Sequence, residues 1–172
     1  MALTHTPIAT TTVGSGGTTT ITFSSIPTTY TDLLIKVSAR MNRAVGRQSL
    51  NVWFNGSTGS WTGRRLAGYD SNSKLSDTSS TTYYQIPQGT GTSATANTFC
   101  NAEYYIPNYR SSANKTIMSD SVTENNSSTD WIVDLGAGLW SNTAAITSLK
   151  IDGNGYNFLE YSTATLYGIK KD

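Results

Sequence analysis

Groups that could perform acid–base or nucleophilic chemistry are few in this sequence. The 172 residues include one histidine, His5, and one cysteine, Cys100. A nucleophile–histidine arrangement would have to recruit a terminal segment, because His5 precedes the first predicted strand. A zinc site of His and Cys ligands needs several such residues at ligand spacing, and they are missing. The sequence therefore predicts a protein that is not an enzyme and that holds no metal or cofactor.

Paired carboxylates of the glycosidase type are the catalytic alternative, because strands can bring acidic residues together without a local motif. The candidates are Asp70, Glu103, Asp120, Asp134 and Glu160. The simpler interpretation places them at solvated strand ends and on strand faces. The oxygen-rich stretch 152–157 resembles a calcium loop superficially. Its glycines suit a hairpin turn better, and the later ligands of an EF-hand are missing.

Arginines and aromatic residues are better candidates for contact with a partner. Arginines cluster over 40–47 and at 64–65. Trp53 alternates with the apolar residues of its predicted strand and so lies on the polar face, and Trp61 falls in a predicted loop. A subunit interface or a sugar-stacking surface would use such residues, and no adjacent Asp/Asn pair is placed to grip a sugar. An interface is therefore favoured. The predicted partner-contact surface comprises Arg40, Arg43, Arg47, Trp53, Trp61, Arg64, Arg65, Tyr105 and Tyr109.

The composition favours a β protein whose solvated faces carry hydroxyl groups. Charged residues make up 13% of the chain, which has 28 Thr and 22 Ser, against about 25% charged residues in typical soluble proteins. Threonine suits strands because its branched Cβ packs well on a pleated surface. The net charge of +1 provides no field for binding nucleic acid. No stretch approaches the ~18 apolar residues of a membrane span, and no signal peptide is recognisable, so we expect cytosolic synthesis without a membrane segment.

Period-two alternation recurs along the chain and predicts about ten strands. The clearest case is 33–41, and the alternation over 100–106 places Cys100 among the buried apolar residues. Glycine and asparagine turn signals separate the strands, and 57–80 and 88–97 are predicted to be long loops. No segment of a dozen residues has a helical stripe. We predict an all-β, two-sheet antiparallel β-sandwich of jelly-roll type over 13–172, preceded by a short arm over 1–12 that orders on binding.

Several segments together resemble a β-sandwich domain common among structural proteins of tailed bacteriophages. They are Thr20 to Ile35, the turn Phe54-Asn55-Gly56-Ser57, Gly138 to Ile151, and Leu166-Tyr167-Gly168-Ile169. The resemblance spans nearly the whole chain. It implies a small virion component, either a capsid decoration (cement) protein or a tail-associated or fibre-tip protein, and such proteins are often homotrimers. The matching residues are core and turn positions, so no site residue follows from the resemblance.

Three functions are compatible with these observations. The leading hypothesis is a capsid decoration protein that binds the outside of the phage head, contacts the major capsid protein and stabilises capsomer junctions. Its support is that the chain shows no shaft of repeats or tail-attachment module. The alternative is a tail-borne module that binds a host receptor or surface glycan through Trp53, Trp61 and the 57–80 segment. A polysaccharide-cleaving enzyme is the third, and it would depend on the carboxylates.

Overall fold

A computed structural model describes residues 4–69, 73–81, 83–85, 88–127 and 130–170, and thirteen strands lie within these ranges. All pairings between these strands are antiparallel. No helix occurs in the described part of the chain. The strands are β1 (Thr4–Thr12), β2 (Thr20–Phe23), β3 (Asp32–Ala39), β4 (Arg47–Ser49), β5 (Asn51–Phe54), β6 (Trp61–Tyr69), β7 (Ser73–Thr81), β8 (Gln88–Thr90), β9 (Cys100–Ile106), β10 (Lys115–Thr123), β11 (Ile132–Trp140), β12 (Leu149–Asp152) and β13 (Thr163–Lys170).

An eight-stranded sheet dominates the molecule, in the order β1-β13-β3-β9-β10-β11-β6-β7. A three-stranded sheet, β2-β12-β5, and a two-stranded ribbon, β4-β8, complete the fold. The prediction of an all-β antiparallel sandwich is confirmed, with thirteen strands among the described residues rather than about ten. The jelly-roll subtype stays a prediction.

The hydrophobic core forms one continuous cluster to which both the large and the small sheet contribute. Strand β3 shows why this sequence forms the sheet: Leu33, Ile35 and Val37 are buried and Lys36 is exposed, as period-two alternation requires. In the small sheet, Leu149 and Ile151 of β12 belong to this cluster and are fully buried. Among the described residues, we find no helix long and apolar enough to cross a membrane.

Two asparagine–glycine turns have the backbone geometry that the sequence predicts. Asn55 and Gly56 both have positive φ angles, 52° and 65°, which suit the tight turns that connect antiparallel strands. Asn154 and Gly155 have φ angles of 54° and 90°, and Gly153 bridges Tyr156 across that turn. The stretch 152–157 is therefore a hairpin turn, as its glycines indicated.

The predicted arm over 1–12 differs from the structure. Thr4–Thr12 is strand β1, which pairs with β13 at the edge of the large sheet, and Ile8 packs against the core. Residues 1–3 lie outside the described ranges. The many threonines suggested a solvated segment, yet an edge strand that is mostly exposed has the same composition. Residues 4–12 therefore belong to the sandwich itself.

The predicted loop over 57–80 is also wrong, because most of it forms the β6–β7 pair. Trp61, Gly63, Arg65 and Ala67 of β6 point inward. Because a glycine and an arginine occupy two of these inward positions, the segment lacks the apolar alternation by which a strand is recognised. The predicted loop over 88–97 begins with the short strand β8 and is irregular after Thr90.

Candidate functional site

The outer face of the eight-stranded sheet, which points away from the core, carries an exposed group of large apolar side chains. Leu66 is 59% exposed, and Met118, Val133 and Leu135 are each 53% exposed. They lie on the adjacent strands β10, β11 and β6, where Leu135 pairs directly with Leu66 and Met118 pairs with Ala137. We call these four residues the apolar patch. Contiguous patches of this kind on a rigid sheet commonly mark a binding surface.

Charged residues border the apolar patch on two sides. On one side, Lys36 forms an ion pair with Glu103 at 3.1 Å, and Glu103 lies opposite Asp120 on the neighbouring strand. Partial burial and the negative charge of Glu103 raise the pKa of Asp120, while Lys36 opposes this shift. On the other side, Arg64 of β6 lies opposite Ala137, and its guanidinium donates to the carbonyl of Gly63 at 3.0 Å. Negative and positive charges therefore flank the patch on opposite sides.

A shallow groove lies next to the patch on the same face. One part, of about 460 Å³, is lined by His5, Leu34, Lys36, Glu103 and Tyr167. The adjoining part, of about 340 Å³, is lined by His5, Asp32, Leu34, Glu103, Tyr105, Met118 and Ile169. This groove contains the only histidine of the chain.

The acidic groups of this groove are bound by neighbours in the same chain. The Tyr105 hydroxyl donates to Asp32 Oδ2 at 2.5 Å, and the Asn108 N–H donates to Asp32 Oδ1 at 2.9 Å. Glu103 is held by Lys36. These contacts hold both carboxylates in place.

The four carboxylate candidates that the structure describes do not come together in a cleft. Glu103 and Asp120 are cross-strand neighbours, but Asp120 does not line either part of the groove. Asp134 points to the inside of the sheet and accepts a hydrogen bond from Arg65 Nε at 2.5 Å. Glu160 lies in the turn before β13, and Asp70 lies outside the described residues. In the part of the chain that the structure describes, no three His, Cys, Asp or Glu residues group as metal ligands would.

Arg40 and Arg65, predicted as contact residues, have structural roles instead. Arg40 is 7% exposed, and its guanidinium donates to the carbonyls of Ala94, Thr95 and Thr98 at 2.9–3.0 Å, which fixes the irregular segment after β8. Arg65 points inward to Asp134. The prediction that these two form a contact surface is wrong, because each satisfies buried acceptors of its own chain.

Arg43 and Arg47 lie nearer the surface and are held by neighbouring side chains. The Arg43 guanidinium lies 4.9 Å from the ring centroid of Tyr156. Arg47 lies 4.8 Å from the ring centroid of Tyr69 and forms an ion pair with Asp130 at 3.6 Å. Of the predicted arginines, only Arg64 lies on the outer face beside the patch.

Two of the four predicted aromatic contact residues are also internal. Trp61 is 2% exposed and packs edge-on against Phe54, with ring centroids 4.8 Å apart. Tyr109 is fully buried, and its hydroxyl donates to the carbonyl of Pro27. The contact role predicted for these two is wrong, because their rings fill the core.

Trp53 and Tyr105 remain partly exposed. The Trp53 indole N–H donates to Asp152 at 2.6 Å, and Lys150 Nζ lies 4.1 Å from the centroid of its ring. Lys150 thus covers a ring that a sugar would have to stack on. Tyr105 contributes to the groove beside the apolar patch.

The sequence reasoning missed the four residues of the apolar patch. Val133 and Leu135 alternate with Ile132 and Asp134, so both faces of β11 carry apolar residues and neither is obviously the inner one. In the structure, Asp134, Gly136 and Gly138 occupy the inward positions between Ile132 and Trp140, whereas Val133 and Leu135 point outward. Because the sequence of β11 does not show which face is the inner one, it carries no signal for the patch.

The chain was compared with protein-family models, curated proteins and solved structures, and none of the three comparisons found a match.

Proposed function

We propose that the chain is a non-enzymatic structural protein of a tailed-phage particle that decorates the outside of the head. The observation that carries the proposal is the apolar patch, in which four large side chains are more than half exposed on one face of the sheet. An apolar surface of this kind gains free energy only when a partner covers it. The chain is therefore suited to work within an assembly.

The non-enzymatic part of the proposal has support from the groove. Its carboxylates are paired with Lys36, with the Tyr105 hydroxyl and with the Asn108 N–H. The single cysteine is buried, and burial raises the pKa of its thiol to about 11. A thiol with so high a pKa is almost entirely protonated at neutral pH and is a poor nucleophile.

The phage part of the proposal depends on the resemblance given above. Its segments correspond to β2 with β3, the Asn55-Gly56 turn, β11 with β12, and β13. A decoration protein binds a lattice in many copies, so each contact can be weak while the coat as a whole is reinforced.

Copy number on purified particles tests the proposal. The expected ratio to the major capsid protein is that of a head component, with hundreds of copies per particle, and particles stripped of the chain should lose heat resistance. A few copies per particle, or unchanged resistance after stripping, would overturn the decoration role. Rebinding to stripped particles gives a second readout.

A glycan-binding module on the tail is the second candidate, and the groove is the observation that favours it. Tyr105, Tyr167, Glu103 and His5 lie along one shallow surface, and tyrosine rings with nearby carboxylates can hold sugars. In this case Tyr167→Ala should abolish binding on a glycan array while Trp61→Phe, a core change, leaves it intact. An array on which no glycan binds would remove this candidate.

A further inference from the structure

We infer that the apolar patch and its charged borders bind a second copy of this chain, through a contact with two-fold symmetry. The inference deepens the proposed function, and it depends on that function only in taking the outer face as an assembly surface. It uses the position of three features on one face: the patch on β10, β11 and β6, Asp120 two positions from Met118 on β10, and Arg64 two positions from Leu66 on β6.

The strand register fixes the spacing of the two charges. Asp120 on β10 pairs with Leu135 on β11, and Leu135 pairs with Leu66 on β6, two positions along from Arg64. Strand spacing and rise then put the Asp120 and Arg64 backbones ~12 Å apart. Within one chain the Arg64 guanidinium donates to the carbonyl of Gly63 at 3.0 Å. The salt bridges found among the described residues include neither Asp120 nor Arg64.

Two copies can pair these charges if their outer faces pack together about a two-fold axis. The axis would lie in the plane between the faces, midway between Arg64 and Asp120 and at right angles to the line that joins them. Each Arg64 then lies over the partner's Asp120, and the contact occurs twice. Leu135 lies next to the axis and packs on the apolar patch of the other copy. One face thus offers apolar area in the centre and complementary charges at the border, which is the usual arrangement of a specific interface.

The outer face of these strands offers about three quarters of the area that a stable contact buries. The four strands β9, β10, β11 and β6 span ~19 Å across and ~30 Å along, which gives on the order of 600 Å² of projected surface. Stable interfaces bury about 800 Å² per partner. Covering the patch would also bring a cation to Asp120, whose pKa is raised by burial and by Glu103.

The symmetry of this contact differs from the trimer that the resemblance implies. A two-fold contact uses the same surface on both copies, whereas a closed three-fold ring requires each copy to present two different surfaces. A single face that carries both charges can meet the same face of a second copy, as a two-fold contact requires. We therefore expect a dimer of the purified chain.

Reciprocal charge reversal tests the inference, with self-association measured by sedimentation equilibrium over a concentration series. Arg64→Asp and Asp120→Arg should each weaken the dimer at least ~10-fold by placing like charges opposite each other. The double variant Arg64→Asp/Asp120→Arg should restore most of the affinity, because both reversed charges then meet across the axis. Leu135→Asp should give monomers. Tyr161→Asp is the control, since Tyr161 is 69% exposed but lies in a turn away from the face.

Circular dichroism and the thermal midpoint of each variant separate loss of association from loss of folding. A wild-type chain that is monomeric at every concentration, a trimer, or a double variant as weak as the single ones would overturn the inference. Rebinding to stripped particles keeps the two proposals distinct. A dimer that does not bind particles overturns only the decoration role, and a monomer that binds them overturns only the dimer.

Discussion

At the scale of single residues, the clearest contrast is between two ion pairs, one buried and one exposed. The side chains of Arg65 and Asp134 are 18% and 1% exposed, whereas those of Lys36 and Glu103 are 58% and 40% exposed. Burial raises the pKa of Asp134, and the hydrogen bond from Arg65 opposes this shift. Arg65 therefore keeps a carboxylate tolerable inside the sandwich, and its charge is not available to a partner.

We predict that Arg65→Met lowers the free energy of unfolding by about 3–5 kcal/mol, because it leaves an unpaired carboxylate buried. Urea denaturation at neutral pH measures the loss. Arg65→Met/Asp134→Leu should recover most of the stability, since an apolar pair of similar volume needs no counter-charge. The exposed pair is the control, and Lys36→Met should have a much smaller effect on the free energy of unfolding, because solvent screens an exposed ion pair. Equal losses in the two single variants would contradict this account.

The pKa shift of Asp120 predicts a pH dependence of the opposite sign from that of an ordinary ion-paired aspartate. The pKa of Asp120 in the folded chain lies above the ordinary 3.8. The ionised form of Asp120 is therefore less favourable in the folded chain than in the unfolded chain. As the pH falls through the folded pKa, Asp120 is protonated and the free energy of unfolding rises. Asp120→Asn should therefore stabilise the dilute monomer at pH 7 by a few tenths of a kcal/mol, discounted for exposure. The gain should vanish below about pH 3.8, where Asp120 is protonated in both states.

Thermal unfolding of Asp120→Asn and Glu103→Gln across pH 3–7 checks this prediction. Glu103→Gln is the matched variant, because it removes the partner of Lys36 and should be neutral or slightly destabilising at pH 7. A destabilising effect of Asp120→Asn in the monomer would contradict the prediction.

At the scale of elements, β11 shows how a strand accommodates glycine. A Cβ on Gly138 would lie 2.5 Å from the Tyr84 ring and 2.7 Å from Ile117 Cγ2. The absence of a side chain there lets Tyr84 pack into the core, where its hydroxyl hydrogen-bonds Ser119 at 2.8 Å. Gly138 thus lies inside a strand, and the Tyr84 ring occupies the volume that a side chain at this position would need.

Gly138→Ala should therefore lower the free energy of unfolding by about 1–3 kcal/mol, through overpacking against Tyr84. The control is Gly68→Ala on the neighbouring strand, where nothing lies within 4 Å of the added Cβ. That change should be neutral or slightly stabilising, because alanine restricts the unfolded chain. Chemical denaturation of both variants measures the difference, and similar values for the two would show that the Tyr84 contact has no role.

The sequence predicted those elements whose inner and outer faces differ in polarity. In β9, and in β3 from Ile35 onward, the apolar residues alternate with polar ones, and in the Asn55-Gly56 turn both residues suit positive φ. It failed for β6 and for the facing of β11, where Arg65 forms an ion pair with Asp134 inside while Leu66 and Leu135 lie outside. A pair of complementary charges on different strands cannot be recognised from either strand alone. The apolar patch was missed for the same reason.

At the scale of the whole molecule, the two sheets share one core, so the chain should unfold as a single cooperative unit. Ile151 of the small sheet and Leu166 of the large sheet are both fully buried and belong to the same cluster. The sheets are also joined along the chain, because β12 of the small sheet lies between β11 and β13 of the large one. Neither sheet has a separate apolar interior to stabilise it alone.

We predict that Ile151→Ala and Leu166→Ala each lower the free energy of unfolding by about 2–5 kcal/mol and leave a single transition. Tryptophan fluorescence, dominated by the buried Trp61 and Trp140, should change at the same denaturant concentration as far-UV circular dichroism in both variants. If the small sheet were an independent unit, Ile151→Ala would shift a separate early phase and leave the fluorescence midpoint unchanged. The exposed Leu66→Ala is the control, because this change affects the outer face and not the shared core.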